Sequence, residues 1–451
     1  MNAPVTEEKE TRLQALRVAL DSGTLRPVRR MIHSLHPAEI GHLLESVRPA
    51  EREIVWELVE HEDEGEVLLA VNDEVRAQLI SGMDDQEVVA ALDGLDVDDL
   101  ADVFADLPET VNRELLRSMD QRDRDRLQTV LAYPEDTAGG LMNLDTVTVR
   151  PNVTVEVVCR YLRLRGEIPE STDALFVVNR NDEYLGRLYL NRLLTADQDK
   201  TIAEIMDTES PSIPAKTTAT EVTVIFEDWD LFSAAVVGDQ NRLLGRITID
   251  DVVDVIRDEA DHSIMSMAGL DEESDMFAPV IISARRRAVW LGVNLATAFI
   301  AAWVIGLFQA TIEKVVVLAV LMPIVASMGG IAGSQTLTLV IRGLALGQVE
   351  ASNARWILFK EIAIGLLNGV GWALVVALAT VAWFRSWDVA AVIAAAMVIN
   401  LFVAAMSGVV VPIILKRMSI DPALAGGVVL TTITDVIGFT AFLGLGTIFL
   451  T

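Results

Sequence analysis

The chain has 451 residues, room for two or three domains, and a formal charge of −29. Ten of its 36 Lys/Arg and six of its 65 Asp/Glu lie from Arg285 onward, so the first 284 residues carry about −33 and the rest about +4. That balance excludes a nucleic-acid partner, which needs a basic face, and suits an acidic domain that meets cations. Cys159 stands alone, which excludes an internal disulfide, and MNAPVTEEKETRLQ has neither the basic nor the apolar part of a signal peptide. The acidic part is therefore expected in the cytoplasm.

Residues 1–141 read as an all-α acidic domain. LHPAEIGHLLESV, VRPAEREIVWELV, LDVDDLADVFADL and LPETVNRELLRSM each open on a Pro or Asp turn and continue as a short amphipathic helix. Their recurrence predicts a stack of helix hairpins, a small solenoid. Asp98 and Asp102 share one helical face, with Asp99 adjoining. Like charges so placed destabilise a bare helix unless something offsets them, and plain solvation is the simplest offset. The five His residues show no metal-ligand spacing.

Two related halves follow, 142–204 and 205–262. DALFVVNRNDEYLGRLYLNRLL and FSAAVVGDQNRLLGRITIDDVV share a frame: an apolar strand ending in Val-Val, a polar turn, Leu-Gly-Arg, a second strand and a helix start. A Thr/Pro-rich strand and an amphipathic helix precede each. This α/β repeat resembles a pair of CBS domains, which admits an adenine nucleotide such as ATP, although no Gly-rich phosphate loop supports it independently. The second half ends in ITIDDVVDVIRDEADHSI, where Asp250 or Asp251, Asp254 and Asp258 line one side and Glu259 and Asp261 extend the charge; FEDWD upstream adds Glu227, Asp228 and Asp230.

Residues 263–287 form a connector that turns from acidic to apolar to basic, as expected of a helix lying along a membrane surface. Arg285, Arg286 and Arg287 abut the first of five apolar stretches, about 288–309, 315–346, 357–384, 390–415 and 424–450, each long enough to cross a bilayer. With the start inside, Arg285, Arg286, Arg287, Arg342, Arg355, Lys360, Lys416 and Arg417 fall on the inner side, and only Lys314 and Arg385 on the outer. Five spans then put the C-terminus outside, in a multi-pass protein of the inner (plasma) membrane.

The second span contains Pro323, Gly329, Gly330 and Gly333, then Ser334, Gln335, Thr336 and Thr338. Close helix packing explains the glycines as well as a bend exposing carbonyls to a wet path does. Asn400, Ser407 and Pro412 make the fourth span partly polar. In the last, AGGVVLTTITDVIGFTAFLGLGTIFL, Asp435 sits near mid-bilayer, where a carboxylate costs roughly 2.5–3.5 kcal/mol on insertion scales. Thr431, Thr432, Thr434 and Thr440 surround it with hydroxyls. It reads as a cation site in a pore, or as a polar link between helices.

The order of these parts, with YPEDTAGGLM at 133–142, PIVASMGGIAGSQ and DPALAGGVVLTTITDVIG, resembles the MgtE family of magnesium channels and transporters. The resemblance implies Mg2+ as both cargo and regulator, and a homodimer in the lipid bilayer with second and fifth spans lining a path on its axis. It makes Asp435 the intramembrane ion site, and Glu66, Asp98, Asp102, Asp230, Asp251, Asp254 and Glu259 regulatory Mg2+ ligands. The chain departs from the family's frequent Gly-Gly-Asn at Ile331, and from its Asn-Pro at Gly427 and Val428. A coupled divalent-cation transporter or exporter is the alternative, and a membrane-tethered sensor without transport a third. Nothing in the chain pairs a nucleophile with a base or makes a P-loop or zinc pattern, so no enzyme is expected.

Overall fold

The structure, a computed structural model, describes residue 16 and residues 25–104, 107–169, 171–270, 275–350 and 352–451. It divides into two compact units, one soluble and including Asp275, the other built on the apolar helices.

The soluble unit opens with nine helices among the described residues: α1 (Leu25–Ile32), α2 (Pro37–Glu45), α3 (Pro49–Trp56), α4 (Glu64–Leu69), α5 (Asp73–Ser81), α6 (Asp85–Leu92), α7 (Val97–Phe104), α8 (Glu109–Ser118) and α9 (Gln121–Val130). The repeated Pro-Ala-Glu is a start signal. Proline occupies the first turn of α2 and α3, where no N–H is missed, and Glu39 and Glu51 accept from the backbone N of His36 and Arg48 at 3.2 and 3.1 Å. Helices two apart in sequence pack together: α2 on α4, α4 on α6, α6 on α8, and likewise α3 on α5 and α7 on α9. This is the stacking expected from the helical repeats.

The two α/β halves repeat almost strand for strand. In the first, β1 (Thr148–Val149) runs parallel to β2 (Ala174–Val178), which pairs antiparallel with β3 (Tyr184–Tyr189); α10 (Val155–Arg165) crosses over, and α11 (Leu190–Thr195) and α12 (Ile202–Ile205) follow. In the second, β4 (Ser212–Pro214), α13 (Ala219–Trp229), β5 (Ser233–Val237) and β6 (Leu243–Thr248) take the same places. Both sheets shift register at the same point, Val177/Val178 and Val236/Val237. The Leu-Gly-Arg motif has a structural reason. A Cβ on Gly186 or Gly245 would lie 2.3 Å from Asp207 O or 2.6 Å from Asn143 O, so only glycine lets each strand approach the segment packed against it. The arginines that follow are buried and reach across the pair. Arg187 donates to Ser233 O at 2.9 Å, and Arg246 to Thr172 Oγ1 at 3.2 Å.

The apolar core of the helical stack continues into the second half, joining Leu127 and Met142 to Ile213, Phe226 and Ile247, while the first half has its own core around Val155, Leu175 and Leu188. The 133–142 signature seals that seam: Ala138 N donates to Thr217 O and Gly139 N to Ala215 O, both at 2.8 Å.

Helix α14 (Ile249–Met267) passes through the expected boundary at 262/263 and ends ahead of Gly269. The expected surface helix over the connector is not one element. Pro279 is the N-cap of α15 (Val280–Gly306), and with no proline after it residues 280–287 become the first two turns of the first apolar helix. Asp275 instead enters the soluble core. Its carboxylate accepts from Arg52 Nη1 at 2.6 Å and Nη2 at 2.8 Å, with both side chains buried. Arg52 also donates to Leu44 O and Gln78 Oε1, and Asp275 N donates to Glu74 Oε2 at 2.8 Å.

The second unit continues with α16 (Gln309–Lys314), α17 (Val317–Ala345), α18 (Ala354–Phe384), α19 (Trp387–Arg417) and α20 (Pro422–Leu450). Helices α15, α17, α18, α19 and α20 are long and apolar enough to span a bilayer and match the five expected stretches to within a few residues, apart from the earlier start of α15. Helix α19 is the hub, packed by α17, α18 and α20 and buried over most of its length; α20 also packs on α15 and α17.

Candidate functional site

Asp435 lies half-buried near the middle of α20. It makes no hydrogen bond or ion pair with any described residue, so no Arg or Lys neutralises it. The hydroxyls around it turn back on their own helix. Thr431, Thr432 and Thr440 donate to Gly427 O, Val428 O and Val436 O at 3.0, 2.7 and 2.6 Å, and Thr434 to Leu430 O at 3.1 Å. They keep oxygen lone pairs and offer no proton to the carboxylate. A carboxylate with hydroxyls on the same helix offers the oxygen donors taken by a hard cation that retains part of its water.

At the head of the same helix, Asp421 accepts from Ala423 N at 2.8 Å and Leu424 N at 3.1 Å, satisfying two of the donors that a helix start leaves open. His262 Nε2 approaches Asp421 Oδ2 to 3.4 Å, and Thr338 Oγ1 on α17 lies 4.0 Å from Met267 Sδ. The last turns of α14 therefore touch both α17 and the start of α20.

In the soluble unit, α7 and the first turn of α14 form an acidic cluster. Asp98 accepts from buried Asn143 Nδ2 at 3.1 Å, and Asn143 Nδ2 also reaches Asp96 Oδ2 at 3.2 Å. Asp251 accepts from Thr248 N at 3.1 Å and Thr248 Oγ1 at 3.0 Å, closing the start of α14. Burial, with Asp99, Asp96 and Asp102 adding their charge, pushes the Asp98 carboxyl up to about 7. Burial likewise raises Asp251 to about 7, with Asp98 and Asp250 adding to it against the Thr248 hydrogen bonds. Asp99 rises to about 7 through burial and then Asp96, Asp102 and Asp251. Asp102 keeps an exposed surface; desolvation of its carboxyl, then Asp251 and Glu135, push it the same way.

Of the residues expected as regulatory ligands, Asp98, Asp102 and Asp251 are thus brought within one another's field, and Asp99 and Asp250 join them. Glu66 on α4 and Glu259 on α14 are exposed, Asp230 is an exposed left-handed cap ending α13, and Asp254 faces Arg257 Nη1 of its own helix at 3.6 Å. Among the described residues no three His, Cys, Asp or Glu side chains converge closely enough to hold a metal ion. The donors are all carboxylate oxygens, which matches Mg2+ or Ca2+ rather than a transition metal.

Sequence reasoning missed two buried polar positions. Glu361 on α18 is buried in the second unit and accepts from Thr336 Oγ1 at 3.3 Å; in the sequence it is a single acid beside Lys360 near the start of an apolar stretch. Asp275 looked like one more acid in a connector. Its only signal was an Arg inside an otherwise acidic helix, 223 residues away.

Comparison with known proteins agrees with this layout. Residues 322–445 match a divalent cation transporter family, residues 35–136 the MgtE intracellular N domain, and residues 138–199 and 202–258 two CBS domains. The chain is 30% identical over 364 residues to the magnesium transporter MgtE of Thermus thermophilus, spanning 78% of this chain and 80% of that one. It is 29% identical over 356 residues to the magnesium transporter MgtE of Bacillus subtilis, spanning 79% of each. The crystal structure of the cytosolic domain of the Mg2+ channel MgtE in complex with ATP is similar over 54% of this chain and 99% of that one, at 31% identity and a TM-score of 0.49. With its helical N domain, CBS pair and five apolar helices in the family's order, this chain belongs to the MgtE family of magnesium transporters.

Proposed function

We propose that this magnesium transporter admits Mg2+ to the cytoplasm past Asp435, as a homodimer whose α17 and α20 helices line the path on the two-fold axis. The observation that carries the reading is Asp435 itself, a half-buried carboxylate in the middle of an apolar helix with no described partner. A charge left so is costly in a membrane, and a passing cation offsets the cost. Two such carboxylates and the threonine oxygens hold the ion through its waters, since Mg2+ sheds them reluctantly. The N-terminus then lies in the cytoplasm and the C-terminus outside, in agreement with the excess of Arg and Lys on the inner segments.

Regulation resides in the acidic cluster. A divalent cation supplies the positive charge that lets α7 and the start of α14 stay together. Without it, Asp98, Asp99, Asp102 and Asp251 repel, each close pair by about 1 kcal/mol in bulk water and several-fold more when partly buried. Helix α14 runs unbroken from Ile249 to Met267, and within the second unit its last residues meet α17 and the start of α20. The exposed acids Glu66, Asp230, Asp254 and Glu259 add outer ligands. An adenine nucleotide in the CBS pair belongs to the same scheme.

The test is Mg2+ uptake into proteoliposomes. Asp435→Asn abolishes uptake at full protein incorporation if the reading holds, and unchanged uptake refutes it. Replacing Asp98 and Asp251 together by Asn should leave uptake intact and remove its inhibition by Mg2+ on the cytoplasmic side.

A further inference from the structure

Asn400 is fully buried on the hub helix α19, at a depth where an apolar residue would be the ordinary choice. Its Nδ2 donates to Val325 O on α17 at 2.8 Å. Its amide lies flat against two glycines. A Cβ on Gly329 of α17 would sit 2.2 Å from Nδ2, and a Cβ on Gly438 of α20 would sit 2.8 Å from it. Gly438 is one helical turn beyond Asp435. The Oδ1 of the same amide is buried with no hydrogen-bond partner among the described residues.

Each part of this arrangement is unfavourable unless the whole is used. The two glycines lower helix propensity to make room for the amide. The amide spends one donor on a helix carbonyl and leaves a buried acceptor with no partner among the described residues. A leucine would pack α19 against its neighbours with no unsatisfied atom. Asn400 is also a single side chain, from a helix off the ion path, that touches both helices lining it under the reading above.

We propose that Asn400 is a positioning residue for Mg2+ permeation: by clamping its amide between Gly329 and Gly438, it sets the spacing of α17 and α20 and hence the place of Asp435 on the path. The inference rests on the reading that α17 and α20 line that path. Pro323 leaves Ala319 O without its helical donor, and the Asn400 bond to Val325 O fastens α17 just past that break.

The experiment measures Mg2+ uptake against external Mg2+ in proteoliposomes, with Co2+ and Ca2+ as competitors, for wild type, Asn400→Ala, Gly329→Ala and the double variant. Size-exclusion profile and melting temperature report folding. Asn400→Ala is expected to raise the half-saturating Mg2+ about tenfold, one hydrogen bond's equivalent of about 1.4 kcal/mol, and to narrow the preference for Mg2+ over the competitors. Gly329→Ala clashes with the amide and lowers uptake. The double variant makes room for the new Cβ and regains its melting temperature, yet keeps the raised half-saturation and the weakened preference. If it instead regains wild-type half-saturation and preference, Asn400 is packing only and the proposal is overturned; so it is if Asn400→Ala alone transports as wild type. Should Asn400→Ala fail to fold, the double variant decides by the same criteria. Folded wild type that moves no Mg2+ would sink the transport reading itself, an outcome distinct from either.

Discussion

Replacing Arg52 by Met should be among the most damaging single changes in the soluble unit. The guanidinium is fully buried and makes four hydrogen bonds, two of them to Asp275. Methionine fills much of the volume but leaves Asp275 a buried carboxylate whose remaining donor among the described residues is Phe277 N, at 2.8 Å. Removing one partner of a buried ion pair costs about 3–5 kcal/mol, because the remaining charge has lost its compensation. Hydrogen exchange of the α3 amides in the full-length protein reads the local opening. Opening should become on the order of 10²–10³-fold more frequent, the equivalent of that energy. Arg52→Met with Asp275→Leu removes both charges and should recover most of the loss, since an apolar pair of similar size replaces a buried ion pair at little cost. If the two single effects simply add in the double variant, the residues are not coupled and the reasoning fails.

Three further outcomes are expected. The carboxyls of Asp98, Asp99 and Asp251 are raised from 3.8 to about 7, so their contribution to stability is fully present below about 3.8 and lost as pH rises through about 7. Without Mg2+, α7 amides should exchange faster at pH 8 than at pH 6 after correction for intrinsic rates; saturating Mg2+ should abolish the difference, and Asp98→Asn should shrink it. Gly245→Ala forces a methyl to within 2.6 Å of a backbone oxygen and should lower soluble-unit stability by about 1–3 kcal/mol in denaturant titration, where no change would show that the strand can shift. Asp421→Ala removes the cap of α20 and should cost about 0.5–2 kcal/mol, seen as faster exchange in its first turn, with Asp421→Ser recovering most of it.

The parts of the molecule that repeat or run long were legible from residues alone. Bilayer length and apolarity located α15, α17, α18, α19 and α20, and the Val-Val and Leu-Gly-Arg frame located β2 with β3 and β5 with β6, because period and spacing are local properties. Asp435 stood out because a lone carboxylate in an apolar run is costly wherever it is not used. The connector was misread for a physical reason: a surface helix and the start of a buried one share an amphipathic pattern, and only Pro279 marks where α15 begins. The pairing of Arg52 with Asp275 had no local signal at all. Asn400 was visible as a polar residue in a span, but its glycine partners lie on two other helices, and no spacing rule connects them.

The crossed arginines of the CBS pair have a consequence for how that part of the chain is assembled. Arg187 finds its acceptor at the first residue of β5, and Arg246 finds one just ahead of β2, so each half finishes wiring the other. Each half therefore depends on the other for one acceptor of its buried arginine. A chain split between the halves would give two fragments that complete this bonding only on meeting. The reciprocal bonds tie the duplicated segment into one unit, so a change at Thr172 in one half is felt at Arg246 in the other.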